Sequence, residues 1–171
     1  QNKSVLYITL EMSEERIGER IDANLMNVTM EDLHDLPKTM YEDRISRIAS
    51  KTNGKLVIKE YPTASAHVGH FRALVKELAL KKSFKPDIIF IDYLNICTTA
   101  RFKNAGNMNS YSYVKAIAEE LRGFAVELNL PIMSATQTTR GGFANTNIDL
   151  TDTAESFGLP ATADLMFALI S

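Results

Sequence analysis

Glu11, Asp92 and Gln137 each stand just past a short apolar run, and together they carry the acceptors and donors that phosphate chemistry needs. A carboxylate at Asp92 offers the hard oxygen that magnesium prefers, directly or through water. A second carboxylate at Glu11 can orient and polarise a water for attack on a phosphoryl group. The amide of Gln137 donates and accepts at once, which suits a sensor linking a phosphate, or its attacking water, to a moving loop. Arg140 follows, with Gly141-Gly142 directly behind it. A guanidinium that can meet phosphate, a DNA backbone or an acid therefore sits beside a conformationally free dipeptide.

Each residue also has a plainer use. Acids complement the exposed amides of helix starts, and Glu11 lies just before Ser13, a good N-cap. A glutamine can simply pin a loop, and an arginine beside a glycine pair can be a solvated surface group. Neither Arg16 nor Arg20 needs a catalytic role, since their spacing suits ordinary pairing on a helix surface.

The chemical reading requires elements that bring these side chains together. Val5 to Leu10 reads as a buried strand, followed by a helix with Ile17, Ile21 and Leu25 on one stripe. A second helix is predicted from Pro37 to about Asn53-Gly54, and Leu56-Val57-Ile58 is the next strand. A helix over 66–80 buries Phe71, Leu74, Val75 and Leu78, and Asp87 to Ile91 forms a strand covered on both faces. After a polar loop from Thr98 to Ser110, the series Tyr113, Ile117, Leu121, Phe124 and Leu128 restores helical spacing before a strand at Pro131 to Ala135. Gly141-Gly142 opens a second polar loop containing Phe143, and Leu165 to Ile170 returns to strand-like composition. Strands alternating with helices predict an α/β fold with a mostly parallel sheet between helices. In such a sheet the carboxyl ends of the strands share one rim, where ligands commonly sit.

Composition narrows the classes further. With 171 residues, 45% of them hydrophobic, the chain can build one sizeable core and is short for two. Nineteen basic against twenty-one acidic side chains give a formal charge of −2, so any nucleic-acid contact must be local. The lone Cys97 excludes an internal disulfide and a thiolate zinc site, and His34, His67 and His70 are too scattered for a metal motif. No stretch approaches the roughly 18 consecutive apolar residues of a membrane span. These features predict a soluble, cytoplasmic protein.

The phrase Tyr7-Ile8-Thr9-Leu10-Glu11-Met12-Ser13, followed by Ile89-Phe90-Ile91-Asp92-Tyr93-Leu94, resembles the motor domains of DnaB-like replicative helicases. Pro131 to Arg140 looks like that family's sensor strand and glutamine, and Thr151 to Gly158 with Ala163-Asp164 resembles the segment before its next core strand. The wording is nearest to helicases of T-even-type tailed phages, which implies the cytoplasm of an infected bacterium. The resemblance implies a RecA-like P-loop NTPase fold, truncated before the first core strand and after the last strand seen. It makes residues 1–171 part of a helicase ATPase domain without its Walker A loop or C-terminal arginine-finger region.

On its terms Glu11 activates water, Asp92 binds magnesium and nucleotide, and Gln137 is the catalytic sensor. Arg140, Gly141, Gly142 and Asn145 would contact single-stranded DNA in a central channel. ATP or another NTP, Mg2+, assembly into a homo-hexamer, and a primase and helicase loader as partners are implied likewise. Asp164 would organise the fold or site rather than bind the metal directly.

Two departures stand out. No Gly-x-x-x-x-Gly-Lys-Ser/Thr sequence occurs, so the amide cradle and lysine for phosphate are missing, and the chain alone is expected to be inactive. Ala154 occupies a position where many bacterial relatives carry arginine. The alternatives are a recombination or circadian-type ATPase on the same architecture, or a noncatalytic interaction module derived from it.

Overall fold

The computed structural model describes residues 2–102, 109–137 and 158–169. Among the described residues, runs rich in β-branched and aromatic side chains form the strands β1 (Val5–Thr9), β2 (Leu56–Glu60), β3 (Ile88–Asp92) and β4 (Ile132–Ser134). All pairs are parallel and the order across the sheet is β2-β1-β3-β4. Alternation sends Leu6, Ile8, Ile89 and Ile91 to one face. There α4 (Val68–Lys82) and α5 (Ser110–Leu128) close the core with Phe71, Leu74, Leu78, Val114, Ile117, Leu121 and Phe124. Tyr7, Ile58, Phe90 and Asp92 share the opposite face by register. Helix α1 (Glu14–Met26) lies over part of that face, close enough that a Cβ at Gly18 would be 3.9 Å from Ile58 Cδ1.

The helix ends follow local chemistry. Ser13 caps α1 by accepting from Arg16 N at 3.3 Å, with Glu14 and Glu15 in the first turn. Asn27 ends α1 in the left-handed conformation at φ 54°. A short α2 (Met30–Asp35) then forms behind a capping box of Thr29 and Asp32. Helix α3 (Lys38–Ala49) starts after Pro37 as predicted but stops short of Asn53-Gly54. Gly54 serves β2 instead: a Cβ there would lie 2.5 Å from Lys3 O, so only glycine allows the approach.

The strand predicted over Leu165 to Ile170 is not formed in the described residues. After α6 (Gly158–Thr162) the chain runs without regular structure through 165–169, leaving Leu165 81% and Leu169 89% exposed. A strand is held by a neighbour's backbone groups, and no described strand pairs with this segment. No described helix is long and apolar enough to cross a membrane.

Two details set the end of β1. Thr9 is fully buried, and its Oγ1 accepts from Met12 N at 3.1 Å and donates to Met12 O at 2.8 Å. Thr63 Oγ1 donates to Leu10 O at 2.6 Å, tying the same turn to the loop after β2. These bonds fix the backbone on either side of Glu11. Thr9→Val keeps the shape but strands two polar backbone groups, and should cost about 1–3 kcal/mol in urea denaturation. Nearby, burial pushes the Cys97 thiol up to about 12, so it stays protonated at pH 8. Its reaction with a disulfide reagent at that pH should be at least about tenfold slower than in denaturant.

Candidate functional site

The chain reverses its winding between β1 and β3. From β1 the chain turns through α1 onto the Tyr7 face and returns as β2; from β3 it turns through α5 onto the opposite face and returns as β4. Neighbouring strands β1 and β3 therefore send their continuations to opposite faces, the arrangement in which ligands commonly bind beyond the carboxyl ends of the strands. Thr9 pairs with Asp92, and Leu10 N donates to Asp92 O at 2.9 Å, so Glu11 emerges beside Asp92's strand end. On the other side of β3, Ile91 pairs with Ser134, whose Oγ donates to Ile91 O at 2.7 Å. Leu94 N reaches Ala135 O at 3.3 Å, which carries the alignment on toward Gln137. Asp92 thus ends β3, and Glu11 and Gln137 lie two and three residues past the ends of the neighbouring parallel strands β1 and β4, at the same edge of the sheet.

Neither acid caps a helix. Ser13 takes that role for α1, and the 3-10 turn Leu94–Ile96 after β3 has no side-chain cap. Glu11 is exposed and, among the described residues, makes no side-chain hydrogen bond or ion pair. Asp92 is half-buried and accepts a hydrogen bond from Tyr7 Oη to Oδ2 at 2.9 Å. Gln137 is exposed, with Nε2 donating to Tyr93 Oη at 3.3 Å. Tyr93 follows Asp92 directly, so this amide is linked to the strand end that bears the acid.

Tyr7 and Tyr93 are the rim residues that pattern reading missed. Tyr7 looks like one more apolar strand residue until the register with β3 is known. Burial, and then the bond to Asp92, push its phenol well above the usual tyrosine range. Beside this pair lies a cleft of about 250 Å³ lined by Tyr7, Ile17, Arg20, Ile21 and Asp92 among others. Arg16 pairs with Glu19 at 2.9 Å, as its helical spacing predicted. Arg20 forms no such pair among the described residues and lines the cleft instead.

The donor set suits magnesium held by few protein ligands. No cluster of three or more His, Cys, Asp or Glu side chains that could cage a metal occurs among the described residues. Magnesium commonly uses one or two carboxylates and fills the rest of its shell with water and substrate phosphate. Asn95 Oδ1 after β3 and Thr136 Oγ1 after β4 are buried oxygens with no hydrogen-bond partner among the described residues. Such atoms fit a site completed by water or ligand. Asp164 accepts from Arg122 at 2.6 Å, while the same guanidinium reaches Thr162 O at 2.7 Å. Asp164 therefore ties the end of α6 to α5. Arg140, Gly141, Gly142 and Asn145 lie outside the described residues.

Comparison with known proteins bears on the same segments. The profile of the family described as DnaB-like helicase C terminal domain matches residues 1–170. A DnaB-like replicative helicase of Enterobacteria phage T4 is 44% identical over 170 residues, taking in 98% of this chain and 36% of that protein. The replicative DNA helicase DnaB of Mycoplasma pneumoniae is 31% identical over 143 residues, 82% of this chain and 29% of its own. This chain therefore spans about a third of each.

Two solved structures share the fold at 21% identity and TM-score 0.72. One is a DnaB-like replicative helicase described with its interactions with primase, covering 95% of this chain and 39% of its own. The other is described as an ATPase domain, covering 95% and 57%. The fold is the RecA-like α/β arrangement that the strand motifs implied. With a family match running from the first strand past the last described residue, this chain belongs to the DnaB-like helicase C-terminal domain family.

Proposed function

We propose that the rim shared by β1, β3 and β4 is the hydrolytic half of a nucleoside-triphosphate site. The full-length protein then couples hydrolysis to translocation on single-stranded DNA and to duplex unwinding. What supports the reading most is that Glu11, Asp92 and Gln137 stand at the carboxyl ends of the adjacent strands β1, β3 and β4, with both acids free of capping duties. Family membership and the 44% identity to a phage replicative helicase support the same activity.

Asp92 would hold Mg2+, directly or through water. The bound ion supplies positive charge that offsets the charge developing on the terminal phosphate. Glu11, which projects from the turn fixed by Thr9, orients a water toward that phosphate and takes up its proton. Gln137, bonded to Tyr93, senses loss of the phosphate, and its displacement shifts the chain that continues directly into Arg140. Along that loop Arg140, Gly141, Gly142 and Asn145 follow the DNA backbone without reading bases. A net charge of −2 is compatible with such local contacts once several copies converge in a ring.

The phosphate cradle and an arginine from a neighbouring subunit must come from outside these residues, so the chain alone should show no ATP turnover. A homo-hexamer acting with a primase and a loader is the corresponding assembly; a solved relative is described with primase.

In the full-length protein Glu11→Gln should lower kcat for ATP by about 10²–10⁴-fold while nucleotide affinity is kept. Strand displacement on a forked duplex should fall with it. Turnover unchanged by Glu11→Gln, or stable filaments on DNA without displacement, would count against the helicase reading.

A further inference from the structure

Tyr7 Oη donates to Asp92 Oδ2 at 2.9 Å, and no step above requires that bond. Its geometry is set by strand register. Tyr7 pairs with Phe90, and Thr9 with Asp92, so Tyr7 stands two residues before the acid on the neighbouring strand and the same face. Two strand residues advance about 6.6 Å, a span that a tyrosine covers and a serine or threonine does not. The ring has little freedom: it stacks on Phe90 with centroids 6.1 Å apart and planes 15° from parallel. Ile17 and Ile21 of α1 line the cleft beside it.

The chemical consequence depends on the donor being neutral. Arg20 lines the same cleft, and a guanidinium on Asp92 would offset the charge that a cation needs. A phenol fixes the carboxylate without cancelling its charge. Among the described residues it is also the one donor to that carboxylate, so Oδ1 is left available. Groups bonded to a metal ligand set its orientation and commonly alter metal affinity when removed.

We propose that Tyr7 is a positioning residue for the metal site: it holds Asp92 by Oδ2 so that Oδ1 is presented to the cation or its bound water. This rests on the metal-binding reading of Asp92.

The test is Mn2+ binding to the full-length protein with a non-hydrolysable ATP analogue, followed by electron paramagnetic resonance. Tyr7→Phe keeps the ring that stacks on Phe90 and removes only the hydroxyl. It should weaken Mn2+ binding about 3- to 30-fold and raise the Mg2+ concentration for half-maximal turnover by a similar factor. At saturating Mg2+, kcat should stay within about twofold, and metal-free nucleotide affinity should not change. Asp92→Asn should weaken Mn2+ binding by more than Tyr7→Phe does. If Asp92→Asn weakens it while Tyr7→Phe binds Mn2+ like the wild type, the tyrosine proposal is overturned and the site reading survives. If Asp92→Asn leaves Mn2+ binding intact, both are overturned. A Tyr7→Phe protein that loses metal-free nucleotide affinity in step with Mn2+ affinity would assign the tyrosine to packing and overturn the proposal.

Discussion

The parallel pairing of β1 with β3 is the constraint on which the rest of the site depends. Thr9 opposite Asp92 sets where both strands end, and the bond from Leu10 N to Asp92 O holds the alignment to the last residue. Because the two strands continue onto opposite faces, their ends cannot be covered by one connection. A one-residue slip in this pairing would turn Asp92 to the core face and separate it from Tyr7. The apolar alternation of Leu6, Ile8, Ile89 and Ile91 against α4 and α5 makes such a slip expensive, so the core enforces the geometry of the rim. Stability and site geometry here are two consequences of one register.

Much of this was legible in the sequence because it is periodic or punctuated. The strands at Val5, Leu56, Ile88 and Ile132 announce themselves by short β-branched runs. The helices through Phe71 and through Ile117 show a 3.6-residue apolar stripe. Ser13 and Pro37 marked helix starts correctly because capping is local chemistry. Glu11, Asp92 and Gln137 could be singled out because each follows a strand-like run, and parallel strands collect their carboxyl ends at one edge.

What was not legible depends on partners distant in sequence. Helix α2 was missed although Thr29 and Asp32 give the capping-box spacing, because six residues carry too little periodicity to register. Gly54 reads as a helix stop in the sequence, whereas its reason is the backbone of Lys3. Leu165 to Ile170 has strand composition but gains a ladder only from a neighbour, and none is present among the described residues. Tyr7 reads as an ordinary strand residue until β1 is set against β3, and the Gln137–Tyr93 bond needs β3 set against β4. Composition selected the elements; register decided which polar atoms meet.

The proposed activity requires nucleotide and metal at the carboxyl ends of β1 and β3. The most direct measurement is a crystal structure of the full-length protein with Mn2+ and a non-hydrolysable ATP analogue, the metal located by anomalous scattering. The account predicts Mn2+ beside Asp92, with the terminal phosphate facing Glu11 and Gln137. Mn2+ and phosphate at the amino-end rim of the sheet, or a nucleotide lodged away from β1 and β3, would contradict it.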